Sequence, residues 1–88
     1  MALTDSQRNQ IASYKAQILN YRNEIDNIKK NKKSKSEYYA NAIKGTKDAN
    51  SKRNYRASKE RDMAQFANQI ESKKRSIEQV KGYIKSIK

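Results

Sequence analysis

Ile11, Tyr14, Ile18, Tyr21, Ile25 and Ile28 follow one another at alternating steps of three and four residues. A helix of 3.6 residues per turn gathers that spacing into one narrow apolar stripe, whereas a strand, with a period of two, would scatter it over both faces. The stepping returns at Met63, Phe66, Ile70, Ile77, Val80, Ile84 and Ile87, with Lys73 holding the one charged position in the series. Two amphipathic helices of matching stripe are therefore predicted. The rest of the chain agrees. It has no proline and only two glycines, and 34% of its residues are charged, a composition that suits long helices and not sheets or a thick globule. With 88 residues there is room for one domain and a small core.

The break between the stripes falls in IKGTKDAN, residues 43 to 50. Gly45 can close one helix in the left-handed conformation, while Thr46 can cap the next and Asp48 complement its dipole. At the front, Thr4 to Gln7 has the pattern of a capping box. The expected fold is all-α: an antiparallel, coiled-coil-like two-helix hairpin, with helix 1 over about 4–44, a turn at about 45–46 and helix 2 over about 47–88. A single continuous helix is the rival, because one glycine costs only about 1 kcal/mol against alanine. Folding back at residue 46 brings Ile28 beside Ala64, Ile18 near Lys74 and Ile11 near Lys81. In the half next to the turn, the same heptad frame puts Lys32, Lys35, Lys52, Arg56 and Lys59 on the seam. Closure there falls to Tyr38, Tyr39, Ile43 and Tyr55 in a shifted register, so this half is expected to be the looser one.

The absences narrow the function. There is no cysteine and no histidine, which removes thiolate nucleophiles, cysteine-based metal sites and the usual acid/base group. The nine carboxylates lie scattered among lysines, and no nucleophile, base and orienting group can be assembled from them. A non-enzyme without cofactor or metal is expected. MALTDSQRNQ lacks a signal-peptide core, and no apolar run reaches the roughly 18 residues needed to span a bilayer. The expected location is the cytoplasm when made, with export alongside a partner left open. An abundance of Lys, Asn and Ile, all with AT-rich codons, suggests a low-GC bacterial source.

The net charge of +12 is uneven. Residues 1 to 28 are neutral overall, residues 29 to 62 carry twelve basic against four acidic side chains, and residues 63 to 88 carry six against two. Lys29, Lys30, Lys32, Lys33 and Lys35 form a run that would face Lys52, Arg53 and Arg56 across the turn-side half. Three readings stand: a solvated face that keeps a thin rod apart from its neighbours, a guide for an acidic protein surface, or a footprint for nucleic acid. No recognition-helix motif, zinc knuckle or free set of stacking aromatics strengthens the last. Ala12, Ala16, Ala57, Ala64 and Ala67 flank the stripes; they either admit another helix closely or serve as ordinary helix formers. The basic amphipathic end, SIEQVKGYIKSIK, resembles a membrane-surface helix, but its stripe matches helix 1 in period and is more economically packed against it.

A leaderless chain of under a hundred residues, without cysteine and turning back at its midpoint on Ile43, Lys44 and Gly45, resembles the WXG superfamily of small type VII secretion proteins. Only Gly45 matches the turn motif, since Ile43 stands where the family has tryptophan. The family's aromatic followed four positions later by an acidic residue is missing, because Ile87 lies four after Tyr83. The chain is more similar to the divergent small helical partners of LXG-domain toxins. That resemblance implies a targeting factor or chaperone-like partner that binds the helical N-terminal domain of a larger secreted protein, with a second small helical protein or a second copy completing the bundle. The seam of isoleucines and tyrosines would be the binding surface. A small basic nucleic-acid-binding helical protein is the alternative.

Overall fold

A computed structural model describes residues 2–88; residue 1, included in the expected domain, lies outside the described residues. The chain is an all-α antiparallel hairpin of two helices, α1 over Asp5–Gly45 and α2 over Ala49–Ile87. With 41 and 39 residues, each runs about 60 Å at about 1.5 Å per residue, and together they make a rod of 69 × 15 × 12 Å.

The front cap forms as a full capping box. Thr4 Oγ1 accepts from the Gln7 amide at 3.1 Å, and Gln7 Oε1 accepts from the Thr4 amide at 2.9 Å. The turn differs from expectation. No described residue has a positive φ, so Gly45 is simply the last residue of α1, and Thr46 is extended beyond it. Helix 2 is capped by Asp48 and not Thr46: its carboxylate accepts from the Asn50 amide and from the Ser51 hydroxyl, at 3.3 and 2.9 Å. A carboxylate that meets two donors two and three residues ahead makes a better start than a threonine followed by lysine. The turn is therefore Thr46, Lys47 and Asp48, not residues 45–46.

That displacement changes the pairing. Tyr14 lies against Tyr83 rather than near Glu78, and Glu24 meets Lys73 rather than residue 68. Ile28 shares a groove with Gln69 and Lys73 instead of Ala64, and Ile11 shares one with Lys88 instead of Lys81.

The core is a single file of side chains. Ile11, Ile18, Ile25, Ile77 and Val80 are buried in the half remote from the turn, and only Tyr39 is buried in the other. Ile18, Ile25, Ile77 and Val80 form one cluster, with Tyr14, Tyr21, Ile70 and Ile84 packed against it. Toward the turn the seam stops following heptads. From Ile28 it runs through Lys32, Ser36 and Tyr39 in α1, and in α2 through Ser58, Asp62, Phe66 and Ile70, advancing mostly by fours. An inserted step of four shifts a helix stripe sideways. It turns Lys35 and Arg56 out to solvent, contrary to the heptad frame, while Lys32, Lys52 and Lys59 stay half-buried along their stems. Tyr38 also departs from expectation. It is 58% exposed and does not close the tip, which falls to Tyr39 with half-buried Ile43 and Tyr55.

Candidate functional site

None of the seam residues read from the spacing is exposed. Ile11, Ile18, Ile25, Ile77 and Val80 are buried, and Tyr14, Tyr21, Ile28, Met63, Phe66, Ile70, Ile84 and Ile87 are half-buried. No side chain among those described is fully enclosed. A pair of helices covers one flank of each stripe residue and leaves the other open, and here Leu19 and Tyr83 remain 58% and 44% exposed beside it.

Two polar clasps cross the seam, one in each half. The Tyr39 hydroxyl donates to Asp62, and this contact raises the phenol's pKa, first through the hydrogen bond and then through desolvation and the carboxylate's charge. Lys73 Nζ lies 2.8 Å from Glu24 and 5.7 Å from the centre of the Tyr21 ring. The hydrogen bond to Glu24, followed by its charge, raises the lysine pKa. At the turn, the Ser51 hydroxyl and then the Asn50 amide hold the Asp48 carboxyl below its ordinary value. Lys73 was visible in the sequence as an interruption of the stripe. Asp62 was not, because its place on the seam follows from the step of four.

The basic run is divided by the same geometry. Lys29, Lys32 and Lys33 line an open groove with Met63, and Lys35 lines another with Tyr38 and Phe66 on the opposite side of the seam. The Lys35 ammonium stands 5.8 Å from the centre of the Tyr38 ring. Lys30, Arg53 and Arg56 are exposed, and Lys52 is half-buried. Among the described residues the ion pairs are Asp5 with Arg8, Glu24 with Lys73, Glu71 with Arg75 and Glu78 with Lys81. None falls within residues 29 to 62.

Gly45 and Thr46, expected to form the turn, bracket the end of α1, where a Cβ at Gly45 would meet nothing within 4 Å. Among the described residues, no group of three or more acidic side chains is placed to hold a metal ion. No helix there is long and apolar enough to cross a membrane. No known protein family, curated protein or solved structure matches the chain.

Proposed function

We propose that the chain is a non-enzymatic helical hairpin that works by packing against a partner helix, as a targeting factor or chaperone-like partner of a type VII (LXG-type) secreted toxin. One observation carries the packing part of this reading: a core one side chain wide, with no side chain fully enclosed, in a rod 69 Å long. Ordering a chain costs about 1.5 kcal/mol per residue, and so thin a core leaves a hairpin near the edge of stability by itself. A third helix laid along the open flanks would bury them. The secretion assignment rests on the resemblance in length, midpoint turn and Gly45. The missing aromatic and acidic export pair would then come from another subunit.

The test is a tagged pull-down from the native host after nuclease treatment and a high-salt wash, read by mass spectrometry. A stoichiometric partner with a helical N-terminal domain from a larger secreted protein is expected, and Ile18→Asp should release it. The absence of ion pairs within residues 29 to 62 favours a second reading, a small basic nucleic-acid-binding protein. A phosphate-driven complex weakens steeply between about 50 and 200 mM salt, while an apolar seam hardly responds. Reversing Lys32, Lys33 and Lys35 together should abolish a nucleic-acid complex. If nuclease treatment alone removes all partners, before any change of salt, the second reading replaces the first.

A further inference from the structure

The residues just beyond the seam divide the hairpin into two unlike edges. Arg8, Lys15, Arg22 and Lys29 recur every seven residues in α1, the last three directly after Tyr14, Tyr21 and Ile28. Lys74, Lys81 and Lys88 occupy the same flanking position in α2, after Lys73, Val80 and Ile87. In an antiparallel pair, equivalent flanks of the two helices meet along one edge. The grooves bear this out: Arg22 and Lys29 face Lys74 and Lys81 across one of them, and Arg8 and Lys15 share another with Lys88. The opposite flanks are Gln10, Gln17, Glu24 and Asn31 in α1, with Gln69, Ser76 and Tyr83 in α2. One edge is thus a row of basic groups, and the other carries a single acid, Glu24, with exposed aromatic rings at Tyr83 and, seven residues beyond Asn31, at Tyr38. Even residues 1 to 28, which are neutral in sum, turn all three of their bases to the first edge.

This row is poorly answered within the chain. Glu78 takes Lys81 at 3.3 Å and Asp5 stands 3.9 Å from Arg8, while Lys15, Arg22, Lys29, Lys74 and Lys88 make no ion pair among the described residues. Like charges across a helix pair oppose closure, so the arrangement works against the hairpin. It also has an apolar floor. The groove between Arg22 and Lys74, about 560 Å³, is floored by Ile25 and Ile77, with Asp26 and Glu78 on its rims. Lys29 continues it into the neighbouring groove, where Met63 lies beside Lys33. Leu19, 58% exposed, stands between Lys15 and Arg22 on the same side of α1.

We infer that this edge is where the partner docks, and that the partner is an acidic amphipathic helix: apolar residues against exposed Leu19 and half-buried Met63, over the mostly covered Ile25 and Ile77, with Asp and Glu flanks against the basic walls. The inference rests on the helix-packing reading and adds which edge is used and what chemistry fits it. A second copy of the chain does not fit, because it would bring another basic row to this one and a further net +12. A bare polyanion would answer the walls and leave Leu19 and the open side of Met63 wet. From Arg22 to Glu37 the combined groove spans about 22 Å at about 1.5 Å per residue, enough for about four turns of a third helix.

The probe is a labelled synthetic helix about three heptads long, with Leu on its stripe and Glu on its flanks, titrated with the full chain by fluorescence anisotropy. Comparison ligands are the same helix with Lys flanks, polyglutamate and duplex DNA. The Glu-flanked helix should bind at least about ten-fold tighter than polyglutamate, and the Lys-flanked one not at all. Arg22→Glu and Lys74→Glu should each weaken it by about ten-fold, and Lys35→Glu, on the other side of the seam, by less than about two-fold. Both edge reversals relieve repulsion within the hairpin, so circular dichroism should show them folded at least as well as the parent.

Equal binding of polyglutamate, tighter binding of DNA, or an equal loss in Lys35→Glu would overturn the inference. The native partner separates this claim from the one beneath it. A partner kept by Arg22→Glu and Lys74→Glu but lost by Ile18→Asp overturns the docking edge and leaves the packing function standing. A partner kept by all three variants overturns both.

Discussion

The most informative single contact is the hydroxyl of Tyr39 on Asp62, among the described residues the only cross-helix hydrogen bond in the turn-side half. Its effect on pH follows from the raised phenol pKa. The folded value lies above the unfolded one near 10, so the stabilisation is complete below about pH 10 and is lost as pH rises through the folded value. Lys73 behaves alike, its pKa being raised by Glu24. Asp48, with its lowered pKa, gives stability that is complete above about pH 4 and fades as pH falls through the folded value. Tyr39→Phe should therefore melt at a lower temperature than the parent at neutral pH, and the gap should close in melts taken above about pH 10. A gap that stays constant would mean that the hydroxyl is not the cause. In hydrogen exchange, protection should fall around residues 36 to 62 while the Ile18 to Ile25 segment holds, because the buried cluster lies wholly in the half remote from the turn. Tyr39 was legible as a stripe residue. Its acceptor was not, since only the step of four brings Asp62 inward.

At the scale of the helices, the stripes determine more than the turn does. Ile11 through Ile28 and Ile70 through Ile87 were readable because a strict alternation of threes and fours leaves one solution for which face is inside. The turn was misplaced by a few residues because Gly45 and Thr46 satisfy the usual signals for a helix end, while Asp48, with Ser51 and Asn50 ahead of it, satisfies a helix start better. That choice displaced the pairing of the entire hairpin, since register is inherited from the turn. The glycines supply a direct check. Gly45 and Gly82 have no positive φ, and a Cβ at either would meet nothing within 4 Å. Gly45→Ala and Gly82→Ala should each raise stability by about 0.5 to 1 kcal/mol in urea unfolding. A loss at Gly45 would restore the left-handed turn and with it the pairing first expected. Within the seam, Ile25→Ala should cost about 2 kcal/mol, the low end for a buried isoleucine, because its neighbours form a file and not a surrounding shell. Thr4→Ala should cost about 1 kcal/mol through loss of the capping box.

As a whole, the molecule is a rod with two different long edges, and this was the least legible property. Charge counted along the chain placed the excess in residues 29 to 62, next to the turn. Counted around the rod, it also runs down one side from Arg8 to Lys29 and from Lys74 to Lys88. The seven-residue recurrence was present in the sequence, but which helix edges coincide depends on the antiparallel fold. A solvated face alone would have no need to concentrate charge where the helices repel each other across an apolar floor.

The central claim is that this hairpin is unfinished without a partner, and urea unfolding of the purified chain by far-ultraviolet circular dichroism tests it most directly. At physiological salt and micromolar concentration we predict a broad transition at low urea, unchanged by dilution, and a sharper one at higher urea when the acidic probe helix is added. A steep transition at high urea for the isolated chain, unmoved by the probe, would show a hairpin complete in itself and would contradict the account.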